Sequence, residues 1–135
     1  MRRALILMAT AIAAGAPSSS RACGACVEDK VAATYDHTVI RTAIARHQQV
    51  VFVAIDGPVS AREMGARIKA AASKVRGVQA GTLRLSMAPP AFSFTLDAAL
   101  RPEAALAAFR EAVGDKSARL TLVRVMRNGE LIEPK

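Results

Sequence analysis

Six consecutive apolar residues, Val50-Val51-Phe52-Val53-Ala54-Ile55, constrain this chain more than any other feature. The run is rich in β-branched side chains and shorter than a buried helix of ordinary length, so it reads as a strand. A strand with one wet face alternates between polar and apolar residues. One that is apolar at every position needs cover on both faces. Asp56-Gly57-Pro58 then breaks the extended chain.

The segments after this strand have clear periods. Ser60 to Arg76 is a helix, with Ala61, Met64, Ile68, Ala71 and Val75 repeating at spacings of three and four. Ser60 and Glu63 have the spacing of a capping box, and Gly77 supplies a residue tolerant of the left-handed turn that ends a helix. Leu83, Leu85 and Met87 alternate with Arg84 and Ser86, the pattern of a strand with one face in water. Phe92, Phe94 and Leu96 alternate in the same way. The Ala-Pro-Pro-Ala stretch between them predicts a hairpin with a loop longer than two residues. A second helix begins at Pro102, carries Ala105, Leu106, Phe109 and Val113 on one face, and closes at Gly114. Arg119 to Met126 is a last strand, followed by a tight turn and a short tail.

Ahead of the apolar run, Cys26 to about Arg46 contains neither glycine nor proline and carries two apolar stripes, which predicts a single uninterrupted helix. The order is therefore one extra N-terminal helix followed by β-α-β-β-α-β. This is an α+β ferredoxin-like sandwich, with four antiparallel strands and two helices on one face. The leading helix has no fixed place in that plan. Its apolar stripes require either the open face of the sheet or a partner.

The N-terminus reads as an export signal. Arg2 and Arg3 precede an apolar run, Ala4 to Ala16, that is too short to span a bilayer. Ser20-Arg21-Ala22 offers small residues at the −3 and −1 positions of a cleavage site. Residues 1–22 are thus expected to be a signal peptide, 23–47 an N-terminal helix and 48–130 the ferredoxin-like domain, in a periplasmic or secreted protein with no stable transmembrane span. Losing Arg2, Arg3 and Arg21 lowers the net charge from +8 to +5. Scattered basic residues, few aromatic side chains and export all argue against nucleic acid as a partner. An envelope protein, or a donor or acceptor of metal, is expected instead. No Gly-x-Ser-x-Gly, His-Glu-x-x-His or phosphate-cradling loop is present, so no catalytic residues are assigned and an enzyme is not expected.

"VVFVAIDG", "ARIKAAASKVRGVQAGTLRLSM" and "FSFTLDAALRPEAALAAFREA" together resemble the heavy-metal-associated domain of copper chaperones and metal-pumping ATPases. The resemblance spans residues 48 to 126 and implies a ferredoxin-like fold with soft-metal handling. That family holds its metal with a Cys-x-x-Cys pair between the first strand and first helix. Here the segment is "DGPVSAREMGARI", without cysteine, and Met64 falls about where the second cysteine would be. A thioether alone holds Cu(I) weakly, and the spacing favours Met64 as a core residue.

The chain spends both its cysteines elsewhere, as Cys23 and Cys26. Residues three apart share one side of a helix, and unpaired N–H groups at a helix start lower a thiol's pKa. Two thiolates suit Cu(I). Zn(II) is a poorer match, because a tetrahedral site needs further ligands. The same pair in an oxidising compartment can instead close a local disulfide and hold no metal, leaving a non-enzymatic interaction module. Thiol-disulfide catalysis is a weaker reading, since no strand precedes the pair as it does in thioredoxin-type units. His37 and His47 read as surface or partly buried residues; His37 lies too far along the helix to share an ion with Cys26.

Overall fold

A computed structural model describes the backbone from Ala22 to Lys135 and the side chains from Val27 onward. The predicted signal segment and the side chains of Cys23 and Cys26 lie outside the described residues. The elements are α1 (Ala22–Thr34), α2 (His37–Ala45), β1 (Gln49–Asp56), α3 (Ala61–Ala72), β2 (Val78–Met87), β3 (Pro90–Leu96), α4 (Pro102–Val113), β4 (Arg119–Arg127) and β5 (Glu130–Ile132). One sheet runs in the order β2-β3-β1-β4-β5, with every neighbouring pair antiparallel. From β1 to β4 the chain is an α+β ferredoxin-like βαββαβ unit.

The main core lies between the sheet and the helix pair α3/α4. Val51, Val53 and Ile55 of β1, together with Phe92, Phe94 and Leu96 of β3, meet Met64 and Ile68 of α3 and Leu106 and Phe109 of α4. The Phe109 ring sits 4.8 Å from that of Phe94 and 5.2 Å from that of Phe92. Each such aromatic pair adds about 0.5–1.5 kcal/mol beyond the area it buries.

The opposite face of the sheet is also covered. Val31 of α1, with Val39, Ile40 and Ala43 of α2, packs on Val50, Phe52, Ala54, Val123 and Met126. The leading helical segment therefore closes the open face of its own sheet, and β1 is buried from Gln49 to Ile55. Its unbroken apolar run has this physical reason: helices lie on both sides of it. A bulge in β4 opposite Phe52 and Val53 serves the same arrangement. The extra residue reverses the alternation, so that Leu120 and Leu122 face α3/α4 whereas Met126 faces α1/α2.

Several expectations are corrected. The single N-terminal helix is two, broken at Tyr35-Asp36. Asp36 is extended (φ −124°, ψ 113°) and its carboxylate accepts hydrogen bonds from the N–H groups of Thr38 and Val39, so it caps α2. Ser60 is the N-cap of α3, but its side chain makes no capping hydrogen bond, so the capping box does not form. That helix ends at Ala72, short of Arg76, although Val75 stays in the core. The β2–β3 connection is only Ala88-Pro89, because Met87 pairs with Pro90. The Ser86 and Arg84 face of β2 is half-covered rather than wet. Beyond β4 the chain adds a fifth strand. Asn128 (φ 52°) and Gly129 (φ 85°) make the two-residue turn that brings β5 alongside β4.

Candidate functional site

Helix α1 carries both cysteines in its opening turns, and polar contacts fix where that helix lies. Glu28 meets Arg124 of β4, Oε1 to Nη2, at 3.4 Å, and the same guanidinium meets Glu133 at 3.3 Å. Arg124 is free to do this because of the bulge: its Cα partner is Phe52, on the α1 side of the sheet. Lys30 reaches the end of β1 and binds Asp56 Oδ1 at 3.0 Å. At the far end of the helix, the Ser93 hydroxyl of β3 donates to the Thr34 carbonyl at 2.8 Å, and both residues are buried. One residue beyond Tyr35, Asp36 pairs with Arg84 of β2 at 2.7 Å. Helix α1 thus crosses the sheet from β4 toward β2, with its first turns at the β4 side.

Asp36 joins helix capping to the sheet. The N–H of Val39, then the hydrogen bond and charge of Arg84, hold its carboxyl below the usual carboxylate range. A second aspartate, Asp115, is lowered in the same direction by the Ser117 hydroxyl and N–H. It belongs to the turn before β4 and lies apart from α1.

The loop that carries metal in the resembling family does not fit one here. It runs from Gly57 to Ser60 between β1 and α3 and offers no thiol. Gly57 has φ +108°, and a Cβ there would collide with the Ser117 carbonyl oxygen, so the loop is packed against the turn before β4. Met64 is 1% exposed, in the core against α4 and β3. Its sulfur is a packing atom, as its helical spacing implied. Cys23 and Cys26 do share one helix, three residues apart. Their donor set of two thiolates fits a soft ion of low coordination number. Among the described residues, no group of three or more His, Cys, Asp or Glu side chains is placed to hold a metal ion. His37 is exposed at the start of α2, and His47 follows the end of that helix with φ +53°.

One feature had no signal in the sequence. Gln49 heads the apolar strand yet is fully buried, and its amide is completely used. Nε2 donates to the carbonyls of Asp97 (3.1 Å) and Leu100 (2.6 Å), while Oε1 accepts from Arg127 Nε at 2.9 Å. These bonds tie β1, the β3–α4 loop and β4 together at the floor of a cavity of about 630 Å³. His47, Arg101, Arg127 and Lys135 are on its walls, with Glu103 and Glu133. Because Gln49 has no free polar atom, it acts as a strut of the fold.

The fold and its helical cover define an α+β ferredoxin-like domain with helices on both faces of the sheet. Among the described residues, no helix is long and apolar enough to cross a membrane. No protein-family model matches the sequence, and neither characterised proteins nor solved structures give a match.

Proposed function

We propose that this chain is an exported, non-catalytic protein that binds a soft metal ion, Cu(I) in preference to Zn(II), through Cys23 and Cys26, for metal handling or transfer. The observation that carries the reading is the position of the pair. Both cysteines fall in the first turns of α1, and just after them Glu28 and Lys30 tie that helix to β4 and to the end of β1. Unpaired N–H groups at a helix start favour the thiolate, the form that binds metal. The ferredoxin-like domain is then the rigid scaffold that presents the pair to a donor or acceptor protein in the envelope.

A competition titration tests this. The reduced protein is titrated with Cu(I) against a chromogenic chelator, beside the Cys23→Ser/Cys26→Ser variant. The wild type is expected to withdraw copper from the chelator and the variant is not. Equal withdrawal by both would sink the proposal.

A second reading has an observation in its favour. The loop where the resembling family holds metal is packed shut by Gly57 and Met64. In this reading the domain is an interaction module that has lost metal binding altogether, and Cys23 and Cys26 close a structural disulfide that pins the N-terminus.

A further inference from the structure

Basic residues are scattered along the sequence, but carboxylates are not, so the excess of positive charge is uneven. Residues 61–87, which form α3 and β2, hold six basic side chains and one carboxylate, Glu63. Across residues 23–60 and 88–135, ten basic side chains are matched by ten carboxylates. The whole excess of positive charge after residue 22 therefore sits on one flank of the fold. Within that flank, Arg84 is committed to Asp36 and Arg67 lies 3.8 Å from Asp115. Arg62, Lys69, Lys74 and Arg76 are exposed, and among the described residues they form no ion pair.

The side chains exposed on this flank narrow the kind of partner. The outer face of α3 interleaves its cations with the exposed small residues Ala66, Ala70 and Ser73. From Arg62 to Ala72 the helical face extends for about 15 Å. Among the described residues, the large exposed apolar side chains, Tyr35, Ile44, Leu131 and Ile132, all lie outside α3 and β2. Tight protein interfaces draw most of their affinity from buried aromatic and apolar anchors, and this face has none. A set of exposed cations without apolar anchors matches a surface whose negative charges can rearrange to meet them. The flank also lies over the β2 edge, with Gly65 letting α3 approach Leu85 closely. The α1/α2 layer is on the opposite face of the sheet.

We propose that the outer face of α3, with Lys74 and Arg76 just beyond its end, docks peripherally, by charge alone, on an anionic lipid bilayer, leaving the α1 layer directed at the aqueous phase. The inference requires nothing of Cys23 or Cys26. It is tested by sedimentation of the purified chain with phosphatidylcholine vesicles and with phosphatidylcholine/phosphatidylglycerol vesicles, at low and at high salt. The quantity read is the ratio of partition coefficients between the two vesicle types, compared between each variant and wild type, so the contribution of residues 1–22, whose Arg2, Arg3 and Arg21 also favour the anionic vesicles, is common to all chains and cancels. A strong preference for the anionic vesicles is expected, and salt should abolish it. Arg62→Gln/Lys69→Gln/Arg76→Gln should lower partition onto anionic vesicles about 100-fold, the change expected for three basic side chains at such a surface. Arg41→Gln/Arg46→Gln/Lys135→Gln, with the same net charge, should stay within a few-fold of wild type. Thermal melting of both variants verifies that they fold. Equal losses in the two triple variants, a salt-insensitive ratio, or binding to polyglutamate without binding to anionic vesicles would overturn the proposal.

Discussion

Thr95 is a buried threonine of β3 whose hydroxyl has no hydrogen-bond partner among the described residues. Its N–H is satisfied by the Thr82 hydroxyl at 2.9 Å, so only the side chain is left unpaired. A buried polar atom without a partner costs about 1–3 kcal/mol. Valine has nearly the same shape and removes that cost, and it also suits a strand. Thr95→Val is expected to raise stability by about 1 kcal/mol and the melting temperature by about 4 °C. Calorimetry checks it, and a lower melting temperature would mean that the hydroxyl has a partner the account lacks. At this scale Met64 was legible in the sequence: its helical spacing put it in the core, and it is there. Gln49 was not. Its bonds reach Asp97, Leu100 and Arg127, contacts 48 to 78 residues away that no local pattern announces.

At the scale of elements, the α1–α2 break is held by one carboxylate. Asp36 caps α2 and accepts from Arg84, so losing its charge weakens both contacts at once. Its folded pKa is lowered from 3.8, chiefly by the Val39 N–H and then by Arg84. A depressed carboxylate pKa gives stability that is fully present above the unfolded value and is lost as pH falls through the folded one. The contribution of Asp36 should therefore be complete near neutrality and fade below about pH 4. Asp36→Asn should melt lower than wild type at neutral pH, and the gap should narrow as acid neutralises the native carboxylate. A gap that is constant from neutral to strongly acidic pH would remove the charged cap from the account. The break itself was hidden in the sequence because two apolar stripes run through it without glycine or proline. The available signal was Asp36 itself, a preferred N-cap residue just ahead of His-Thr-Val-Ile. Arg84, which fixes it, comes 48 residues later. By contrast, the two alternating strands and the Pro102–Gly114 helix were readable because each is decided by its own local period and caps. Strand β5 had its signal in Asn128-Gly129, a two-residue hairpin turn. It is only three residues long, and so it read as a tail.

At the scale of the whole molecule, the central fact is that both faces of β1 are covered, by α3/α4 on one side and α1/α2 on the other. The apolar run of β1 required that cover, and the amphipathic N-terminal segment was free to supply it. The consequence for function is that the segment bearing Cys23 and Cys26 continues directly into a helix built into the fold. The most direct test of the account is the state of those two sulfurs in the native compartment. Protein isolated anaerobically from the cell envelope would be assayed for free thiols by quantitative alkylation and for bound metal by elemental analysis. The account expects thiols that become alkylatable only once a co-purifying soft metal is chelated, in proportion to the metal released. A fully oxidised pair, with no metal in the sample, would contradict it.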